Sequence, residues 1–163
     1  MKGRKLSAEA VNMDFVTKGN YPPYQFGSMV EDIEIGVGER LYCIEYLNLT
    51  QMGKRDAPGA WMGRQLFSSE QEAREAFSIL PEFKEVGQPL VIREYIVKKP
   101  LQARLGIASS LQSPTNGHQY AGGGPQIELL NQVNYEPAWV DYFQHQGFTD
   151  KTETIRNYVK KLN

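Results

Sequence analysis

The chain has 163 residues, 40% hydrophobic and 23% charged, which fits one domain with a real core and argues against wholesale disorder. Its 18 Lys and Arg nearly cancel its 19 Asp and Glu, so the basic excess of a protein that grips many nucleic-acid phosphates is missing, and no nucleic-acid partner is expected. One cysteine, Cys43, excludes an internal disulfide and multi-cysteine zinc patterns; His118 and His145 are too isolated for a metal site; and no apolar run nears the roughly 20 residues that span a bilayer, so no membrane partner is expected.

Along the chain, residues 6–13 form a short helix that Ser7 is placed to cap. The segment Asn20-Tyr21-Pro22-Pro23-Tyr24 is extended and stiff, because two prolines fix φ and remove donors. Gly36-Val37-Gly38 is a turn, and residues 40–47 read as a strand. Gly53, Pro58 and Gly59 make 48–60 a long loop, and 61–67 is a second short strand. The clearest helix covers 68–80, capped by Ser68 or Ser69, with Gln71 or Glu72 completing a capping box and Pro81 as its stop. Residues 89–97 are the strongest strand, and 100–108 another. After a loop rich in Ser, Pro, Asn and Gly comes the strand 126–130, and the tail carries two expected helices, 137–146 and 151–162. Strands dominate the middle, helices lie mainly towards the ends, and βαβ alternation is absent. That order predicts a single α+β domain over 1–163, with mixed or antiparallel sheets and peripheral and terminal helices.

The most informative stretch is Gly122-Gly123-Gly124-Pro125-Gln126-Ile127-Glu128. Consecutive glycines permit positive φ and let a bulky ligand approach the backbone closely. On the strand that follows, Gln126 and Glu128 share one face while Ile127 and Leu129 share the other. A polar pair facing a cleft, backed by an apolar pair facing a core, is what a reactive strand requires. A glycine-rich hairpin entering an ordinary amphipathic strand fits the same residues.

Gln126-Ile127-Glu128 resembles the Gln-x-Glu signature of ADP-ribosyltransferase-fold enzymes, and Gly122-Gly123-Gly124-Pro125-Gln126 is similar to the motif of the tuberculosis necrotizing toxin family of NAD hydrolases. Tyr21-Pro22-Pro23, Lys99-Pro100-Leu101, Gly106-Ile107-Ala108 and the 63–69 segment ahead of its helix resemble further family elements, in family order, over most of residues 20–130. The resemblance implies an ADP-ribosyltransferase-like fold with NAD as substrate and no permanently bound cofactor. It further implies Gln126 and Glu128 as catalytic residues, Tyr21, Tyr24 or Phe26 stacking on the nicotinamide, and Gly123 and Gly124 lining the NAD site. The family carries a phosphate-binding arginine in its first core strand, where the best register here puts Cys43. The substitute is then Arg40, if a bulge realigns it, or Arg64, Arg93 or Arg104.

Such toxins are commonly C-terminal parts of secreted proteins that act in a target-cell cytosol and are blocked by an immunity protein; an ordinary cytosolic protein agrees equally with the sequence. Both NAD hydrolysis and ADP-ribosyl transfer to a protein use this site: Glu128 points toward transfer, the triple glycine and Tyr-Pro-Pro toward hydrolysis, and hydrolysis is slightly favoured. A ribonuclease using His118 and His145, and an interaction domain that has lost its phosphate arginine, are the readings from other classes.

Overall fold

The computed structural model describes residues 3–46, 61–88, 90–130, 143–144 and 159–161, the last two groups through their backbone pairing. The strands are β1 (Lys5–Ser7), β2 (Met29–Ile35), β3 (Arg40–Tyr46), β4 (Trp61–Met62), β5 (Leu90–Val97), β6 (Leu101–Ile107), β7 (Leu111–Gln112), β8 (Gln119–Tyr120), β9 (Pro125–Leu129), β10 (Phe143–Gln144) and β11 (Val159–Lys161). The helices are α1 (Ala8–Thr17) and α2 (Glu70–Phe77), and every pairing among the described strands is antiparallel. The expected α+β class with antiparallel sheets is the architecture observed.

One sheet has the order β1-β2-β6-β9-β4. In the second, β3 pairs along the length of β5, while β10 and β11 pair with β5 at its two ends. Between the sheets lies the main core: Ile35, Leu41, Cys43, Met62, Tyr95, Val97, Leu101, Ala103, Ile127 and Leu129. Each of these strands sends alternate residues inward, so every residue between them faces outward. α2 covers the outer face of the β3–β5 sheet, where Ala73 packs with Phe67, Ile44, Tyr46, Leu90 and Ile92. α1 covers part of the outer face of the five-stranded sheet through Ala8, Val11, Tyr24 and Val30.

Local signals set most element ends. Ser7 caps α1 by accepting from the Ala10 amide, and Ser69 caps α2 by accepting from the Glu72 amide at 3.1 Å. The Glu72 carboxylate turns back to the Ser68 amide and hydroxyl, one residue before the cap, instead of closing the box on Ser69 itself. Gly38, at φ +89°, makes the turn that carries the chain from β2 in one sheet to β3 in the other.

Three expectations are corrected. The helix expected over 68–80 ends at Phe77, where Ser78 takes a left-handed conformation at φ 48° and its hydroxyl donates to the Ser109 carbonyl. The strand expected over 61–67 stops after Met62, because Gly63 exchanges both backbone hydrogen bonds with Tyr42 at 2.8 Å and so leaves its own sheet for the other. In the tail, residues 143–144 and 159–161 are strands where helices were expected; the rest of both segments lies outside the described residues, as does the 48–60 loop. β5 is buried on both faces, and its edge opposite β3 holds backbone groups that these strands satisfy, a tertiary demand that outweighs helical propensity. β1, β2 and the β7–β8 hairpin were not anticipated.

Candidate active site

Directly opposed residues in antiparallel strands share a face, so the register draws rows across the outer face of the five-stranded sheet. One row runs Leu6, Val30, Gly106, Gln126. The next runs Asp32, Arg104, Glu128, Trp61, with Arg4 beyond Asp32, where the Arg4 carbonyl accepts from the Asp32 amide at 2.7 Å. The first row is apolar up to Gln126 and lies under α1 and the 22–24 segment. The second alternates positive and negative charge and ends in an aromatic ring. Glu128 sits at the boundary between the covered half of this face and its open half.

Tyr24 joins the two rows. A Cβ on Gly106 would lie 2.4 Å from the Tyr24 ring, so the ring lies on that glycine, and its hydroxyl reaches Glu128 Oε1, donating at 2.9 Å. The same ring lies 6.1 Å from Trp61, the cross-strand neighbour of Glu128, and Trp61 in turn lies 5.9 Å from Phe15 of α1, so Tyr24 and Trp61 flank Glu128 with Phe15 behind Trp61. Opposite them, Asp32 accepts from Arg4 at 2.8 Å and from Arg104 at 3.3 Å.

This setting separates the two carboxylates electrically. Burial pushes Glu128 above its ordinary value, aided by the charge of Asp32; the hydrogen bond from Tyr24 and the positive Arg104 pull the other way and do not offset it. Burial acts on Asp32 in the same direction, but its hydrogen bonds from Arg4 and Arg104 win and hold its carboxyl below the ordinary value. The Tyr24 phenol is pushed far up by burial and by the neighbouring Glu128, so it serves as a donor.

Gln126 and Glu128 share one face of β9 while Ile127 and Leu129 enter the core, the phase that alternation predicts. Gln126 is 8% exposed and donates from Nε2 to the Pro23 carbonyl at 2.7 Å, so both members of Gln-x-Glu hold the Tyr-Pro-Pro-Tyr segment. The other anticipated residues divide. Arg104 and Tyr24 meet Glu128. Tyr21 lies edge-on to Phe83 at 5.3 Å, and Phe26 is 85% exposed without a place in this row. Arg40 points outward from the other sheet and pairs with Glu94, and Arg64 pairs with Glu39 at 3.1 Å. β3 runs without a bulge, so Arg40 is not realigned, and Cys43 is a small buried member of the core. Arg93 is buried beside Glu45 at 3.4 Å, within the second sheet.

The triple glycine is divided as well. Gly122, at φ +69°, would place a Cβ 2.4 Å from the Ser109 carbonyl oxygen, and a Cβ on Gly124 would lie 2.9 Å from the Ala76 carbonyl oxygen. Their amides donate to the Glu75 and Ala76 carbonyls of α2, so these two glycines seat β9 against that helix. Gly123, at φ +92°, has nothing within 4 Å of its would-be Cβ and is the member with room for a ligand.

Sequence reasoning missed Asp32, Arg4, Asn12 and the place of Trp61. The alternation of Ile33 and Ile35 was a signal for β2, and hence for Asp32 on its outward face. The others depend on which strands become neighbours.

No protein-family model matches the chain, and no curated protein matches its sequence. Among solved structures the chain is similar to a chain in the structure of Tne2 in complex with Tni2, with a TM-score of 0.54 and 20% identity, covering 66% of this chain and 85% of that one. At that identity the likeness is one of fold.

Proposed function

We propose that the chain is an NAD glycohydrolase domain of toxin type, which cleaves the nicotinamide–ribose bond of NAD and passes the ADP-ribosyl group to water. The observation that carries this reading is the face of β9, where Gln126 and Glu128 project beside Tyr24, Arg104 and Trp61. The ordered resemblance to NAD-hydrolysing toxins and the likeness in fold to a chain solved in complex with another protein add to it.

The chemistry follows from charge. Nicotinamide departs with the electron pair of its glycosidic bond and leaves positive charge spread over C1′ and the ring oxygen of the ribose. A carboxylate held at that place lowers the barrier, most of all in a site shielded from water. Glu128, half-buried and walled by aromatic rings, is that carboxylate. Trp61 is 37% exposed beside it and presents a planar face to the nicotinamide ring. Arg104, one strand away, supplies positive charge for the diphosphate, and Gly123 leaves room along the backbone. Gln126 spends one N–H on Pro23 and keeps its amide oxygen and second N–H for the ribose or the attacking water. Water then adds at C1′ and gives up a proton, so the products are nicotinamide, ADP-ribose and H⁺.

A domain of this kind acts in the cytosol of a target cell as part of a secreted protein and meets an immunity protein as its inhibitor. The test is incubation of the purified chain with NAD, with chromatography of the products against Glu128→Gln. Free nicotinamide and free ADP-ribose from the parent, with at least about a hundredfold loss in the variant, support hydrolysis at this site. ADP-ribose attached to protein would move the assignment to a transferase using the same residues. Intact NAD throughout, with a folded parent, would sink both.

A further inference from the structure

We propose that Tyr24 is the positioning residue of the Glu128 carboxylate and that Asn12 of α1 sets Tyr24 in place, so that α1 belongs to the machinery of the site. This rests on the role given above to Glu128, and it extends that role to Tyr24, at the end of the Tyr-Pro-Pro-Tyr segment, and to Asn12 on a helix outside every motif in the sequence.

One segment of the chain is held at every residue around Tyr24. Asn12 Nδ2 donates to the Tyr24 carbonyl at 2.7 Å, and Asn12 Oδ1 accepts from the Tyr24 amide at 2.9 Å, so one side chain satisfies both backbone groups of one residue. The neighbours of Tyr24 are pinned independently. The Pro23 carbonyl accepts from the Ser109 amide and from Gln126, the Pro22 carbonyl accepts from the Ser109 hydroxyl, and the Gln25 amide donates to the Ile107 carbonyl. With the backbone fixed, Gly106 below and Val30 beside it leave the ring one location, and at 1% exposure it does not rotate away. The hydroxyl is therefore delivered to Glu128 Oε1 by geometry settled before any ligand arrives.

A hydroxyl that donates to a carboxylate favours the ionised form. That is the form that stabilises a developing cation. The charged and titratable groups facing Glu128 are Tyr24 from the segment after α1, Arg104 from β6 and Asp32 from β2, with Arg4 acting on Asp32; its cross-strand neighbour Trp61 of β4 is uncharged. Of these, Tyr24 touches Glu128 directly without carrying charge itself, so its removal isolates the hydrogen bond.

The experiment is a carbon-detected NMR titration of the Glu128 carboxyl in the full chain, in the parent, Tyr24→Phe and Asn12→Ala, alongside nicotinamide release across pH. Loss of the phenol moves the Glu128 midpoint to higher pH, and the acid limb of the rate profile moves with it. The kcat falls about tenfold while KM changes less than about twofold, as befits a group that acts through another. Asn12→Ala, which keeps the phenol and frees its backbone, moves the midpoint in the same direction by a smaller amount and guards against misfolding in Tyr24→Phe. An unmoved midpoint in Tyr24→Phe overturns the proposal. A midpoint that moves in Tyr24→Phe but not in Asn12→Ala overturns the part given to α1. A moved midpoint in a chain that leaves NAD intact supports the coupling while overturning the NAD reading, so the two fail separately.

Discussion

At Gly106 and Gly122 a missing side chain decides what its neighbours can do. A methyl group on Gly106 would enter the Tyr24 ring at 2.4 Å and press Val30 at 3.3 Å, and neither buried side chain has space to move. Gly106→Ala is therefore expected to destabilise the fold by about 1–3 kcal/mol and to weaken the grip on Glu128, read as a lower urea midpoint. Gly122→Ala combines a left-handed φ with a contact of 2.4 Å to backbone oxygen, whereas Gly123→Ala meets open space. The urea midpoint of Gly122→Ala should lie clearly below that of Gly123→Ala, which bears the backbone cost alone, about 1 kcal/mol; equal midpoints would contradict the placement of β9 against α2. Asp32 yields a pH prediction. Its folded value lies below its unfolded one, so its contribution is present at neutral pH and is lost as pH falls through the folded value. Asp32→Asn should lower stability at about pH 7 and flatten its fall between about pH 5 and about pH 2, measured by urea unfolding at each pH.

Among the elements, α2 shows how a short helix is made to hold its surroundings. Arg74 is buried on its last turn, pairs with Glu70 at 3.1 Å, and donates to the carbonyls of Ile79, Lys84 and Glu85. One guanidinium thus satisfies three carbonyls of the chain beyond the helix. Arg74→Ala should cost about 3 kcal/mol and Ser69→Ala about 1 kcal/mol in thermal or urea unfolding, a difference that separates a network from a single cap. Local signals of this kind were legible in the sequence: Ser7 and Ser69 at their caps, the turn at Gly38, and the phase of Gln126 and Glu128 on β9. The tail was not. Residues 143–144 and 159–161 are strands because β5 has an edge to fill, and nothing within those residues announces a partner that lies far back along the chain.

For the whole molecule, strand order decides which charges meet. Because β6 lies between β2 and β9, Arg104 comes between Asp32 and Glu128, whereas the same alternation turns Arg40 outward on the opposite sheet. The sequence offered four arginines as candidate phosphate ligands, and which of them lies beside Glu128 depends on non-local pairing that no local pattern encodes. Two layers facing one core also explain Cys43: it lies inward with Met62 and Ile127 and directly opposite the buried Arg93, so an arginine in its place would set two guanidiniums side by side in the interior. The proposed site therefore lies on the outer face of the five-stranded sheet. The most direct test is nicotinamide release from NAD by two double variants, Gln126→Ala with Glu128→Ala and Arg40→Ala with Arg64→Ala, each checked for parental circular dichroism. Abolished release in the first and release within about threefold of the parent in the second is the expected result. Release that survives the first and disappears in the second would contradict it and place the reaction on the other sheet.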